Sequence, residues 1–422
     1  MNARMRSNFL HLYADVFWYG VLLGSSMAFI AVYASRLGAG SFQIGLLTAG
    51  PSVVNLLFSL PAGRWLEQRS LYRITYLTAF WNRLTYVFMI PLPWLFSDRV
   101  QVWMLVLISL IMSLPGTILA IAFNALFAEV VPAEFRAEVV GKRNALLAIS
   151  TALASLGCGQ LLDRISFPLN YQVVFTIGAI GAMMSTYHLW KIQPIRHFNP
   201  SRNSAPIHDL ARPGIPKLLD ALRRPIGLRR LIVNNEPLLR WDILRGKFGS
   251  FIAACLFFYI FVYLPIPLFP LFLVHDLHLS DGAISLGNAL YYVSMLIFSL
   301  GLRRWSERLG NRRILAIGGL TIFLYPLFTG LAKNAILYWV GTFVSGSAWA
   351  LANAGLVNRL MERVPEDDRP AHMALHNLVL NIGILVGSLL GPTFGEALGL
   401  RNAILFSVLL RLLGGVFLVI WG

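Results

Sequence analysis

Charge is scarce in the apolar stretches of this chain, so the few ionisable groups there are the first candidates for chemistry. Asp15 stands in an apolar run at about 9–34, and Arg83 in another at about 74–96. At 1.5 Å per helical residue, Asp15 lies roughly 9 Å and Arg83 roughly 13 Å from the starts of their runs. Asn55, in a run at about 43–63, is near 12 Å from the end on the same side. An ionisable group inside hydrocarbon costs roughly 2.5–3.5 kcal/mol on insertion scales, so each is a functional candidate. The three share one level, and Asp15 is expected to pair with Arg83 or lie close to it. Two roles are open. Asp15 can take and release a proton, with burial and the charge of Arg83 setting its affinity. Alternatively, the two form a fixed ion pair that fastens helices together.

The second half of the chain offers mostly neutral groups. Asn288, Trp349, Asn353, Asn377 and Asn381 fall within apolar runs, with His376 beside them. Asn377 and Asn381 are one helical turn apart and share a face. Asn amides can bond a polar solute, and they also join helices at about 0.6 kcal/mol on average. In the first half, Trp18 and Tyr19 follow Asp15 and suit an amphipathic or cationic ligand. Asn55 joins them as a cavity candidate. Glu396 falls near one end of its run. Arg411 lies midway along the last run, where it is expected to pair locally or to snorkel. His188 is expected at an interface rather than in a proton relay.

Other chemistries are missing from the sequence. It has no Gly-x-x-x-x-Gly-Lys phosphate loop. No His, Cys and Asp cluster has metal-ligand spacing, and no nucleophile–base arrangement stands out. Cys158 and Cys255 lie in apolar runs of different halves and read as small packing residues. No enzyme, cofactor or metal site is expected.

The elements that must position these residues follow from composition. Of 422 residues, 57% are hydrophobic and 13% charged, about half the charged share of a soluble domain. Runs of about 20 apolar residues cross the ~30 Å hydrocarbon layer as helices, since backbone groups cannot stay unpaired in lipid. Twelve spans fit, at about 9–34, 43–63, 74–96, 100–128, 143–162, 172–191, 249–274, 282–302, 313–332, 335–358, 373–394 and 400–421. With the amino terminus inside, 28 of the 35 Lys and Arg fall on cytoplasmic segments and five on the opposite side. This asymmetry predicts a multi-pass protein of the cell (inner) membrane with both termini cytoplasmic. The net charge of +16 then reflects topology and attraction to anionic headgroups of the lipid bilayer, with no nucleic acid implied. The segment from Lys191 to Lys247 is long, basic and proline-rich. Its amphipathic stretch from Leu218 to Leu231 is expected to lie on the membrane face. Pro265, Pro267 and Pro270 should bend span 7.

The chain also repeats itself. Phe58, Ser59, Leu60, Arg64, Trp65 and Glu67 recur 240 residues later as Phe298, Ser299, Leu300, Arg304, Trp305 and Glu307. Glu129, Val131, Pro132, Glu134, Arg136 and Asn144 recur 233 residues later as Glu362, Val364, Pro365, Asp367, Arg369 and Asn377. Two copies of one six-span design follow. They form an N-terminal bundle over 1–193 and a C-terminal bundle over 248–422, joined by a basic linker over 194–247.

These features resemble the major facilitator superfamily, whose loop after spans 2 and 8 reads Gly-x-x-x-Asp-Arg-x-Gly-Arg-Arg. The second copy is close, with Glu307, Arg308, Gly310, Arg312 and Arg313. The first is looser, with Gly63, Glu67 and Arg69 but Gln68 and Ser70 at the positions of the motif's Arg and second Gly. The Glu129 to Arg136 pattern is similar to the family's loop after span 4. The resemblance implies an all-α integral membrane protein with 12 transmembrane helices in two pseudo-symmetric six-helix bundles. It also implies alternating-access transport of a small solute, possible coupling to protons, and peripheral positions for spans 3 and 12. The loop residues Gly63, Glu67, Arg69, Glu129, Arg136, Glu307, Arg308, Gly310, Arg312, Arg313, Glu362 and Arg369 would form a conformational latch between the halves. The carboxylates would accept from helix amino termini and from arginines. Asn144 and Asn377 would cap spans 5 and 11 or join these clusters. Few charges and many aromatics favour export of a hydrophobic or amphipathic compound. The alternative is a non-transporting membrane sensor or partner-binding subunit of the same fold. No obligate protein partner is evident.

Overall fold

In the computed structural model, residues 3–67, 69–193, 244, 247–364 and 369–422 are described. The side chains of Gly63, Arg64, Glu67 and Arg369, and the linker segment 194–243 with its amphipathic stretch, lie outside the described residues. Among the described residues the chain forms twelve principal helical segments, the first six being α1 Arg4–Arg36, α2 Ser41–Glu67, α3 Leu71–Leu84, α4 Asp98–Val130, α5 Ala133–Arg164 and α6 Leu169–Lys191. The second copy gives α7 Phe248–Asp276, α8 Asp281–Leu309, α9 Asn311–Leu331, α10 Ala335–Arg363, α11 Arg369–Leu398 and α12 Leu400–Trp421. Among the described residues, 11 of these are long and apolar enough to cross a bilayer unaided. The exception is α3, which stops at Leu84 and continues as a 3-10 turn over Val87–Met89 and a short helix over Leu92–Leu95. Pro91 and Pro93 in this stretch cannot donate backbone N–H groups.

Local chemistry sets the ends. Ser280 caps α8 by accepting from the Ala283 N–H at 3.1 Å, and Asn334 caps α10 by accepting from Ile336. Gly310 joins α8 to α9 at φ +80°, a conformation costly for residues with a Cβ. That accounts for glycine in this motif. Span 7 breaks where its prolines require: one helix ends at Tyr263 and the next starts at Leu268. Two expectations are corrected. Helix α5 begins at Ala133 and α11 at Arg369, well ahead of Asn144 and Asn377, so neither asparagine caps a helix. Short polar segments before the apolar runs are already helical, because helices continue into the interface beyond the hydrocarbon.

The repeat is visible as contacts. Gly45 of α2 faces the Ser388 carbonyl and Pro392 of α11, 2.7 and 3.0 Å from where a Cβ would sit. The repeat offsets map Gly45 onto Ser285, and Ser388 and Pro392 onto Ser155 and Gly159. These partners also meet: Ser155 Oγ donates to the Ser285 carbonyl at 3.3 Å, and a Cβ on Gly159 would overlap Ser285. Helices α5 and α8, and α2 and α11, thus form two equivalent seams between the bundles. One end of the molecule, called here the basic end, carries the arginine-rich turns between α2 and α3, α4 and α5, α8 and α9, and α10 and α11. The other is the far end.

Candidate functional site

The first polar site is built on Asp15, which is 3% exposed. Its carboxylate accepts from Ser185 Oγ of α6 at 2.5 Å. Arg83 of α3 stands 3.5 Å from one oxygen and Arg143 of α5 stands 3.4 Å from the other. Arg83 also donates to Thr186 Oγ1 at 3.2 Å and lies 5.7 Å from the Tyr19 ring centroid. Arg143 stacks over Phe123 of α4 at 4.5 Å. One carboxylate therefore serves two buried guanidiniums and draws together α1, α3, α5 and α6. Asn55 is not part of this site. Its Oδ1 accepts from Thr117 Oγ1 of α4, linking α2 to α4 instead. Arg143 is the member that sequence reasoning missed. A span beginning at 143 leaves it at an interface, whereas α5 begins ten residues earlier.

The second site is a cavity of about 420 Å³ among the helices of the C-terminal bundle, reaching the N-terminal bundle at α1. Its walls come from α7 to α10, from α12, and from Ala28 and Val32 of α1. Tyr263, Tyr291, Tyr325, Tyr338, Phe269 and Trp349 make it aromatic, and Asn288 and Arg411 are polar groups on the wall. Asn288 also donates to Ser155 Oγ of the other half at 3.0 Å. Of the sequence candidates, Asn288 and Trp349 line this cavity. Asn353 is exposed. Asn381 turns back on its own helix and donates to the Asn377 carbonyl at 2.8 Å. Trp18 and Tyr19 are half-buried on α1. His376 meets Tyr259 Oη at 3.1 Å, and His188 meets His11 with the Nδ1 atoms 3.0 Å apart. Of the two expectations for Arg411, snorkelling is corrected: it is 2% exposed, bonds locally to backbone carbonyls and stands on the wall of the cavity.

The third site lies at the far end, and of its residues only Glu396 stood out in the sequence. Arg36 donates to Asp281 at 3.0 Å and to the Leu279 carbonyl at 2.8 Å. Asp163 accepts from Ser280 Oγ at 2.9 Å and from the Gly282 N–H at 3.0 Å, at the positive end of α8. Ser41 donates to Glu396 at 3.3 Å. These bonds between the halves, with Ser155–Ser285 and Asn288–Ser155, all lie in the far half of the molecule.

At the basic end, the bonds described for Arg136, Arg69, Glu307, Glu362, Arg312 and Arg359 each fall within one half. Arg136 caps the end of α4, donating to the Ala128 and Val131 carbonyls at 2.8 and 3.0 Å, while Glu129 is exposed in the last turn of that helix. Arg69 stacks over Trp65 at 4.4 Å. Glu307 pairs with Arg303 of its own helix at 3.0 Å. Glu362 accepts from Asn311 and Arg359 at 2.6 Å each, tying α9 to α10. Arg312, Arg359 and Arg363 donate to the Val419, Gly422 and Trp421 oxygens at the end of α12. Arg308 and Arg313 are exposed.

The match to known proteins covers the chain from near its start to its end. A sequence model of the Major Facilitator Superfamily matches residues 16–266 and 251–422. The structure resembles the nucleoside transporter NupG, with a TM-score of 0.69 at 14% identity over 100% of this chain and 99% of that one. It also resembles a bacterial homologue of the human lysosomal transporter Spinster in an inward-facing, unoccupied conformation, with a TM-score of 0.64 at 16% identity over 100% and 97%. The xylose transporter XylE from E. coli, in a partially occluded inward-open conformation, gives 0.65 at 12% identity over 99% and 97%. At such identities the likeness is one of fold. A search of curated proteins finds no match. Two six-helix copies related by fixed offsets and the superfamily match across both copies place this chain: it belongs to the Major Facilitator Superfamily of membrane transporters.

Proposed function

We propose that the protein is a secondary transporter that moves a small amphipathic solute by rocking its two bundles about the seam. The observation that carries this reading is a cavity in the C-terminal bundle that borders α1 of the other half, beside bonds that join the halves at one end. Its volume of about 420 Å³ falls within the roughly 300–1,000 Å³ of small-molecule sites. The basic end is the cytoplasmic one, because lysine and arginine are retained on that side of the bilayer. The structure is then an inward-facing state, with the solute path shut at the outer end. In the outward-facing state the motifs at the basic end engage across the halves and act as the latch. The bundles are 1–193 and 248–422, with 194–247 as their cytoplasmic tether.

Asp15, Arg83 and Arg143 form the centre of the N-terminal bundle. The two guanidiniums on one carboxylate favour a fastening role for Asp15, and coupling to protons is the second function open to it. Export is the direction that the aromatic lining favours.

The test is a thermal-shift screen of the purified protein against solute classes, since a ligand that binds the folded state stabilises it. Flux of the stabilising solute is then followed in proteoliposomes. Flux above protein-free vesicles supports transport. Saturable binding with no flux identifies a sensor of the same fold and overturns the proposal.

A further inference from the structure

Arg411 sits 11 residues from the start of α12 and is 2% exposed. At 1.5 Å per residue this is roughly 16 Å along the helix, near the bilayer midplane. A cation at that depth calls for a partner. In the C-terminal bundle no Asp or Glu lies within 282–306, 313–361, 373–395 or 400–421. Among the described residues no carboxylate pairs with Arg411.

The bonds that Arg411 does make are to carbonyls freed by proline. Nη1 donates to the Ile322 carbonyl at 3.3 Å and Nη2 to the Val262 carbonyl at 2.6 Å. The Ile322 carbonyl would take the N–H four residues on, but that residue is Pro326. The Val262 carbonyl loses its helical partner because the Ile266 N–H goes to Tyr263 instead, at 3.2 Å. Arg411 therefore bridges the breaks in α7 and α9, which explains why the protein keeps the side chain there. It does not explain the charge. Two carbonyl dipoles leave a full positive charge in place, and Nε, buried, has no hydrogen-bond partner. A guanidinium carries five N–H donors in a planar fork that matches a carboxylate. This one lies on the wall of an otherwise mostly apolar cavity that carries six aromatic side chains, with its Cζ 5.8 Å from the Phe269 ring centroid.

We propose that the cavity takes an organic anion: a carboxylate on an aromatic body, the carboxylate against Arg411 and the body among Tyr263, Tyr291, Tyr325 and Trp349. This assignment rests on reading the cavity as the solute site and narrows the class of solute. A merely structural Arg411 would clasp the two broken helices and be indifferent to ligand charge.

The test uses the full-length wild-type protein in detergent with three ligands of similar size: phenylacetate, phenylacetamide and phenethylamine. Binding is read by tryptophan fluorescence and by thermal shift. A hydrogen bond to a charged group is worth about 1.5–3 kcal/mol, so the anion should bind at least about tenfold more tightly than the amide. The amine should not compete. Arg411→Gln should bring the ratio of anion to amide within about threefold, while Arg411→Lys should keep part of the preference. Equal binding of phenylacetate and phenylacetamide by the wild type, no binding of phenylacetate, or an undiminished preference in folded Arg411→Gln each overturns the assignment. The wild-type ratio decides even where a variant does not fold. Counterflow of labelled ligand in proteoliposomes separates this idea from the transport reading. Anion-selective binding without counterflow keeps the anion site and overturns transport. Counterflow of the neutral amide without any preference for the anion keeps transport and overturns the anion site.

Discussion

Ser35 Oγ lies 3.2 Å from His275 Nε2, and the two residues are 240 positions apart, the offset that relates the first motifs of the two halves. A residue and its own counterpart can touch only where the pseudo-symmetry axis passes between them. The axis therefore leaves the molecule at the far end, between the last turn of α1 and the last turn of α7. The polar contacts between the halves gather around it. Asp163–Ser280 and Ser41–Glu396 join equivalent pairs of helices, and under the proposed function the far end is the closed end of the solute path.

That symmetry predicts matched effects. Gly45 and Gly159 are opposite members of two equivalent contacts, Gly45 with Pro392 and Ser285 with Gly159, and Gly45→Val and Gly159→Val would each push a side chain into the opposite helix. Overpacking costs typically about 1–3 kcal/mol, and here it falls on the state closed at the far end. Each variant should raise labelling of Thr342→Cys, on the cavity wall, by a membrane-impermeant thiol reagent added from the far side. Cys158 and Cys255 are replaced in this background. A rise in one variant but not the other would break the equivalence of the seams.

Arg36 and Asp281 should act as one unit. Residues in direct contact show coupling energies of about 0.5–3 kcal/mol. Arg36→Ala and Asp281→Asn should each increase far-side labelling at the cavity, and the double variant should add little to either. Additive effects in a double-mutant cycle would show that the pair does not hold the closed end.

Asp15→Asn leaves Arg83 and Arg143 buried without their counter-ion. Breaking a buried ion pair from one side costs about 3–5 kcal/mol, so the variant should melt at a clearly lower temperature in detergent. Arg83→Gln should partly restore stability in the Asp15→Asn background by removing one of the two unpaired charges. Solute flux in proteoliposomes as a function of pH decides the second role. If a folded Asp15→Asn protein keeps the wild-type pH dependence, Asp15 does not carry the coupling proton.

At the basic end, Glu307 is exposed and pairs only along its own helix, so Glu307→Gln should change thermal stability by less than ~1 kcal/mol. Its effect should show in the balance of states, as faster far-side closure and slower flux. A large loss of stability with unaltered flux would make Glu307 a structural residue and not part of a latch.

Much of the architecture was legible because lipid imposes simple rules. Span length, retention of arginine on one face and two fixed sequence offsets are sufficient to give twelve helices in two equivalent sets. The nearness of Asp15 and Arg83 was legible for the same reason, since a helical rise converts sequence position into depth. Arg143 was not, because its depth depended on where α5 begins. For Arg411 local pairing was legible but its partners were not: they are backbone carbonyls released by Pro326 and by the break at Pro265 and Pro267, and a broken helix has to be located before its orphan carbonyls can be counted. The contacts Arg36–Asp281 and Asp163–Gly282 could not be foreseen either. They join ends of helices from different halves, and no periodicity within one helix reports which other helix it will meet.

The central claim, that the halves rock about the seam, is tested most directly by paired distance measurements between spin labels in lipid. One pair, Gly40→Cys and Ala397→Cys, reports the far end. The other, Glu134→Cys and Met361→Cys, reports the basic end, and all four sites are exposed. With a solute that stabilises the fold added in steps, the account predicts opposite changes: the far-end distance lengthens as the basic-end distance shortens, in matching proportions. Distances that stay fixed at both ends across all solutes, or that lengthen together, would contradict it.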